Sequence, residues 1–353
     1  MDPMKSLSFA DRLTGKDLKG GWRVLERVEK RKGIDTGGRF SSGYIVENES
    51  GQKGFLKALD LSHFLSLPNP TVMLQEATTA YNFELDLCKR CRDRRLDRVV
   101  VPMDDGEVQV EEGNAWSLVP YIIFELGESD VRQKMDQTSH LDTAWKLRTL
   151  HQITTGVFQL HNIGIRHRDL KPSNVMVFRS GSKVGDLGRA SLVGTKDLLE
   201  GLLIAGDRTY APPELHYQYR YPDSFEADLS CDIYLVGSLA VFLFTRAVMT
   251  ALLFNKIEPD YHPSKWNGPF NQVVPYLRRA FGLSMSVIAS DVDEFLREEF
   301  TTVVRQLCDP DPQMRGDPTA RLYSQNPYDL IRYVSAFDRM ARRAEVELGR
   351  ILQ

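Results

Sequence analysis

"HRDLKPSN", His167–Asn174, sets a carboxylate, an ammonium and an amide within six residues of one another. Those three groups suit phosphoryl transfer, which needs aligned reactants and neutralised charge rather than covalent help from the protein. Asp169 is placed to accept the proton of an attacking hydroxyl and to orient it. Lys171, two residues on, reaches the transferring phosphoryl group as a point charge, and Asn174 offers a carbonyl oxygen to a divalent cation. A lone H-R-D is weak as a signal; six specified residue types in register are not.

Outward from this stretch the chain keeps its order. Downstream, "KVGDLGRAS" puts Asp186 12 residues past Asn174, and "YAPPEL", "CDIYLVGSL" and "DPDPQMRGDPTA" carry Glu214, Asp232 and Arg315. Upstream, Trp22 to Leu59 reads as three strands, "WRVLERVEK", "SGYIVENE" and "GFLKALD", separated by glycine-rich punctuation. A helix follows, because Leu74, Ala77, Tyr81, Glu84, Cys88 and Cys91 recur at three-to-four-residue spacing. Two more strands, "RVVVPMDDGEVQVE" and "WSLVPYIIFEL", lead to "ELGESD", the expected connection to a longer, helical remainder.

These segments together resemble the signature set of the eukaryotic-type (Hanks-type) serine/threonine protein kinases, of which this chain reads as a divergent member. The resemblance covers about Trp22 to Arg321 and implies an α+β, bilobal fold, with a small antiparallel β-rich N-lobe and a larger helical C-lobe. In numbers, it divides the chain into an arm at 1–21, the N-lobe at 22–126, the C-lobe at 127–325 and a C-terminal amphipathic helix at 326–353. It implies ATP and Mg²⁺, and protein hydroxyls as acceptors. Lys57 of "FLKAL" is then the residue that grips the α and β phosphates. Glu84 is its expected partner, with Glu76 the alternative. Asp169 is the base, Lys171 its companion, and Asn174 and Asp186 hold the metal. Phe124 would stand at the back of the adenine pocket, the Glu125 carbonyl and Gly127 amide would meet the adenine edge, and Asp130 the ribose. Glu214 and Arg315 would pair, and Asp232 would brace the catalytic loop. Lys171 followed by Pro172 resembles the serine/threonine rather than the tyrosine pattern.

Three departures from the family pattern stand out. In "TGGRFSSGYIV" only Gly38 keeps its place, if Phe40 is the tip of the phosphate-covering loop; Thr36 and Ser41 replace the outer glycines, and a Cβ at Ser41 makes close approach to phosphate costlier. The positions that cover adenine fall on Gly43 and Phe55, a small-for-large and large-for-small exchange, so Phe55 is expected to swing into the room left by Gly43. Asp207 takes the place of a usual threonine, where it either pairs with Lys171 or repels Asp169, with Thr209 as a substitute if the loop is remodelled. Arg168 resembles the arginine that grips a phosphorylated activation loop. Ser191, Thr195 and Thr209 are the candidate self-phosphorylation sites, and Asp197 or Glu200 is a candidate fixed substitute for phosphate.

Composition bounds the alternatives. A net charge of -3 over 353 residues gives no global basic field for nucleic acid. Cys88 and Cys91 form a CxxC with no second pair, so two small helix-face residues are expected rather than a zinc site; four scattered cysteines fit a reducing cytoplasm. The apolar run "IYLVGSLAVFLFTRAVMTALLF" holds Arg246 near its centre and Asp232 in front of it, which points to a buried helix rather than a membrane span. Two other readings stay open: a pseudokinase or nucleotide-binding scaffold, and a small-molecule phosphotransferase, which also uses H-x-D-x-x-x-x-N but lacks Lys171 and a recognisable activation segment.

Overall fold

A computed structural model describes residues 8–29, 41–65, 68–138, 141–219, 221 and 223–351. They divide into two compact units: the residues up to Glu128 together with Gly185–Gly188, and Ser129–Val184 together with the residues from Arg189 on.

The first unit is built on a five-stranded antiparallel sheet in the order β1-β2-β3-β5-β4. Its strands are β1 (Trp22–Val28), β2 (Ser41–Asn48), β3 (Lys53–Leu59), β4 (Pro102–Gln109) and β5 (Leu118–Glu125). Side chains alternate across a strand, so β2 and β3 send Tyr44, Val46, Leu56 and Ala58 to one face and Ile45, Phe55 and Lys57 to the other. The first face is covered by residues that precede the sheet: Ala10 and Leu13 are fully buried in one cluster with Trp22, Tyr44, Val46, Leu56, Val119, Tyr121 and Ile123. Tyr44 clamps them, its hydroxyl donating to the Ala10 carbonyl at 2.7 Å. Ala10 and Leu13, within the segment 1–21 that the sequence sets apart as an arm, are thus part of the core of the sheet.

Between β3 and β4 run the short helix α1 (Leu61–Leu65) and the long α2 (Pro70–Asp93), with Pro70 at the start, where a missing N–H costs nothing. Glu84, Leu85, Leu87, Cys88 and Cys91 form the buried face of α2. Tyr81 ties the helix to the sheet by donating to the Tyr121 carbonyl at 2.9 Å.

The second unit is mainly helical. It opens with β6 (Ser129–Asp130), α3 (Val131–Gln137) and α4 (Thr143–Asn162). Short strands β7 (Ile165–Arg166), β8 (Val175–Phe178), β9 (Gly181–Val184) and β10 (Ser191–Leu192) frame the segment that carries Asp169, with β7 paired to β10 and β8 lying between β6 and β9. Helices α5 (Pro213–His216), α6 (Ser224–Thr245), α7 (Met249–Lys256), α8 (Phe270–Ser290), α9 (Glu294–Leu307), α10 (Pro318–Leu322) and α11 (Ile331–Ile351) complete it. The apolar run that reads as one buried helix is two: α6 ends at Thr245, Arg246 turns left-handed at φ 59°, and α7 begins at Met249. By length and composition α6 is apolar enough to cross a membrane, yet 78% of that stretch is buried within the protein. The last helix, α11, packs on α4 and buries Tyr333, Phe337 and Met340, with Arg148 bridging to Asp338 at 2.7 Å and Glu345 at 2.6 Å.

Two carboxylates of this unit carry structural charge. Glu214 receives both ends of the fully buried Arg315 guanidinium, each at 2.8 Å. Asp232, on α6 and 0% exposed, accepts the backbone N–H groups of His167 and Arg168 at 2.8 and 2.7 Å and meets His161 Nε2 at 2.8 Å. Burial alone would raise the Asp232 pKa, but the hydrogen bond and charge of His161, with the His167 charge and the Arg168 N–H, hold it below the ordinary aspartate value.

Two outcomes follow from this packing. Leu13→Ala empties a fully buried site in the cluster and should cost about 2–4 kcal/mol, measured as a shift in the urea midpoint. Because Asp232 is depressed in the folded state, its contribution is present above the unfolded aspartate pKa of about 3.9 and is lost as pH falls through the lower folded value. Asp232→Asn should therefore be less stable than wild type at neutral pH and show a shallower loss of stability below pH about 4; parallel slopes for the two proteins would exclude this role.

Candidate active site

Strand alternation places Lys57 on the sheet face opposite Leu56 and Ala58, the face to which α2 is fastened. There the Lys57 ammonium lies 2.7 and 2.9 Å from the two Glu84 oxygens and 3.3 Å from Asp186 Oδ1. Glu76, the alternative partner, is exposed. Burial pulls the Lys57 pKa down, but Asp186 and Glu84 outweigh it and raise it well above the lysine range, so the side chain stays an ammonium. Burial pushes Glu84 up and Asp186 adds to that, against the opposing pull of Lys57. Asp186 itself sits in a left-handed turn, at φ 59°. A cavity of about 140 Å³ adjoins the cluster, lined by Ser41, Lys57, Leu59, Phe64, Tyr81 and Glu84 among others.

On the same face of the sheet, Phe55 is the cross-strand neighbour of both Ile45 and Phe124. Its ring edge stands where a Cβ on Gly43 would fall, at 2.9 Å. The exchange seen in the sequence is thus a steric one, ring for missing side chain. Glu125 pairs with Gly54 across β3 and β5, and its carboxylate reaches the Val101 N–H at 3.5 Å. Gly127 follows as a half-buried residue. Of the phosphate-covering loop, Gly38 and Phe40 lie outside the described residues; Ser41 is the first residue of β2, opposite Leu59.

The second unit holds the other group. Asp169 is nearly buried, with Lys171 Nζ at 3.1 Å from its Oδ2 and the Asp207 N–H donating to its Oδ1 at 2.6 Å. Asn174, at the end of a 3-10 turn over Pro172–Asn174, donates from Nδ2 to the Asp169 carbonyl at 2.8 Å. That bond fixes the amide and turns Oδ1 the other way, as a metal-binding oxygen requires. Asp207 Oδ2 stands 3.6 Å from Lys171 Nζ, so the carboxylate pairs with the ammonium, and Thr209, which is exposed, merely donates its N–H to Asp207 at 2.9 Å. Gly206 is obligatory: a Cβ there would come within 2.4 Å of the Arg168 carbonyl. Asp130 is the N-cap of α3, accepting from the Gln133 N–H at 2.8 Å, which accounts for it structurally.

Arg168 has φ 62°, and its buried guanidinium makes a two-pronged contact with Asp197 at 2.7 and 2.9 Å; Glu200 is exposed. Ser191 donates to Asp228 at 2.6 Å, whereas Thr195 is exposed. Two features escaped the sequence reading: the His161–Asp232 contact and the Arg132 guanidinium donating to the Tyr210 hydroxyl at 2.8 Å. Both join residues more than seventy positions apart, and neither leaves a local pattern.

Among the described residues no cluster of three or more histidines, cysteines, aspartates or glutamates could hold a metal by itself. Mg²⁺ does not need one, since it takes one or two protein oxygens and completes its shell with water and phosphate. Asp186, in a cluster with two carboxylates to one ammonium, and the oriented Asn174 amide are of the right chemistry for it.

Comparison with known proteins gives the family. A family model described as "Protein kinase domain" matches residues 110–328, more than half of the chain. The chain is 27% identical over 219 residues to serine/threonine-protein kinase PTK2 of Candida glabrata, covering 55% of this chain and 27% of that protein. It is 25% identical over 280 residues to mitogen-activated protein kinase 6 of Arabidopsis thaliana, covering 76% and 62%, and 34% identical over 104 residues to a Wee1-like protein kinase of Oryza sativa, covering 30% and 18%. It therefore spans less than two thirds of the length of each of these relatives. A fold with an antiparallel sheet unit and a helical unit, carrying these two side-chain groups and this family match, belongs to the protein kinase family.

Proposed function

We propose that the chain is an ATP- and Mg²⁺-dependent serine/threonine kinase that transfers the γ-phosphoryl group to protein hydroxyls, its own included. The observation that carries this reading is the group around Asp169: a nearly buried carboxylate with one oxygen set by a backbone N–H and the other beside an ammonium. A carboxylate so held presents a fixed acceptor to an incoming serine or threonine hydroxyl, takes its proton as the bond to phosphorus forms, and needs no rearrangement at that moment. Lys171 lies within reach to offset charge on the transferring group. Lys57, locked by Glu84, is the cation for the α and β phosphates. Asn174 and Asp186 would hold Mg²⁺, which when bound supplies neutralisation of phosphate charge.

For the nucleotide's base and sugar the proposed contacts are Phe124, Glu125, Gly127 and Asp130, with Gly43 and Phe55 flanking the adenine and Gly38, Phe40 and Ser41 over the phosphates. For self-phosphorylation, Thr195 and Thr209 are accessible, while the Ser191 hydroxyl is engaged by Asp228. The four cysteines are unpaired, which suits a reducing cytoplasm.

Asp169→Asn should lower phosphotransfer to a generic protein substrate by roughly 10²–10⁴-fold while leaving ATP-induced thermal stabilisation intact, because only the proton acceptor is lost. A wild type that is stabilised by ATP yet transfers nothing would favour the scaffold reading, and transfer to a small molecule but to no protein would favour the phosphotransferase. Glu84→Gln leaves Lys57 with Asp186 alone and should cost roughly tenfold or more in kcat/KM for ATP, read from initial rates against ATP concentration.

A further inference from the structure

We infer that Asp11, which precedes the sheet, is a positioning residue for nucleotide binding: it ties the adjacent ends of β1 and β2 together behind the sheet face that carries Lys57. Its effect on ATP rests on the kinase reading; its contacts do not.

Asp11 closes the 3-10 turn Phe9–Asp11, and its neighbours set its place. On one side Ala10 is fully buried, and its carbonyl accepts the Tyr44 hydroxyl at 2.7 Å. On the other side Leu13 is fully buried, and its N–H donates to the same hydroxyl at 3.4 Å. The acid thus sits on a short piece of chain anchored to β2 before and after it.

From there one carboxylate oxygen serves two strands. Ser42 is 6% exposed, and its hydroxyl donates to Asp11 Oδ1 at 2.6 Å, the length of a charge-assisted O–H bond. A buried hydroxyl needs a partner, and this one comes from outside the sheet. The Arg27 guanidinium meets the same oxygen. That link falls where β1 has little else. Its register on β2 shifts between Val24 and Glu26, and Leu25, Glu26, Arg27 and Val28 are all exposed, so no buried side chain fastens the end of the strand. Trp22 and Val24 pack the first half of β1 into the core, and Asp11 holds the second half.

The second half is the part beside the site. Alternation turns Ser42 to the covered face and Ser41 and Gly43 to the other. Gly43 is the cross-strand neighbour of Lys57, and Ser41 lines the cavity of about 140 Å³ together with Lys57 and Glu84. Strand ends open locally unless something holds them. A β2 that lifts at Ser42 carries with it Ser41 and Gly43, the residues proposed for phosphate and adenine. Lys57 stays, because Glu84 and Asp186 hold it independently. Loss of Asp11 therefore weakens the hold on ATP and spares the chemistry at Asp169.

The test uses the full chain as wild type, Asp11→Ala, Asp11→Asn, Ser42→Ala and the Asp11→Ala/Ser42→Ala double variant, with Val119→Ala as control. Val119 is buried in the same cluster but lies on β5. Mg²⁺·ATP binding is measured by calorimetry without an acceptor, kcat at saturating ATP, and amide hydrogen exchange at 41–44 without nucleotide. Asp11→Ala should raise Kd roughly five- to tenfold, with kcat changed by less than about twofold. Ser42→Ala should raise Kd as well, the double variant should go no further than Asp11→Ala, and Asp11→Asn, which keeps an acceptor for Ser42, should recover part. Exchange at 41–44 should quicken in Asp11→Ala. Val119→Ala should lower Tm at least as far as Asp11→Ala while leaving Kd within about twofold of wild type and exchange at 41–44 unchanged. Should Asp11→Ala not fold, Asp11→Asn and Ser42→Ala carry the same comparison. A Kd equal to wild type in the Asp11 and Ser42 variants, or an equal loss of binding in Val119→Ala, overturns the inference. A wild type that binds no ATP defeats the kinase reading, while exchange at 41–44 still decides whether Asp11 holds β2.

Discussion

Asp232 sits on a long, strongly apolar helix, and yet it is charged, 0% exposed and bonded to two successive backbone N–H groups of the loop that carries Asp169. The loop cannot hold its own shape. Arg168 is a non-glycine residue in the left-handed region, a conformation that costs of order 1–2 kcal/mol. Hydrogen bonds to an ionised carboxylate return about 1.5–3 kcal/mol each, and two of them meet that strain with a margin. The backbone just before Asp169 is thereby set by α6, and from there the loop ties itself, Asn174 donating to the Asp169 carbonyl at 2.8 Å. A polar segment can be placed to a fraction of an ångström only if something rigid holds its backbone, and α6 is the rigid object at hand.

The two side-chain groups share a charge pattern. Each has one ammonium between two carboxylates, Lys57 with Glu84 and Asp186, Lys171 with Asp169 and Asp207. Each is therefore one negative charge in excess. In a partly buried setting like charges raise one another's proton affinity, and Asp186 adds to the rise at Glu84. Such an arrangement is wasteful for stability alone, since apolar side chains of the same volume would fill the space at less cost. It is well suited to a cation, and under the proposed function Asp186 and Asn174 hold one. The Asp207 carboxylate makes the second group more demanding of positive charge than Asp169 and Lys171 alone would be.

Much of this was legible in the sequence, for reasons that differ by element. The loop at 167–174 could be read because its chemistry is local: three functional groups within six residues, of types that no packing argument explains. Glu84 could be read from helical periodicity, since it shares a face with Cys88 and Cys91, and all three are buried. The covering of the sheet by residues 8–21 could not. Ala10 and Leu13 are too few to form a periodic pattern, and their partners Tyr44, Val46 and Leu56 lie thirty or more positions away. Nor could the break at Arg246, because an apolar helix and two apolar helices joined by a left-handed residue look alike until the turn is seen. The choice between Asp197 and Glu200 as partner of Arg168 turned on which carboxylate closed a local turn, through the Leu199 N–H, and this is a matter of backbone geometry.

The departures from the family pattern sort by the kind of contact each position makes. Gly206 is fixed by backbone against backbone, and any side chain would strike the Arg168 carbonyl at 2.4 Å. Its neighbour at 207 meets Asp169 through the N–H, which every residue but proline possesses, so that contact does not depend on the side chain there. Gly43 and Phe55 illustrate a third kind, in which one side chain occupies the volume the other lacks, so a side chain at 43 requires the ring at 55 to move.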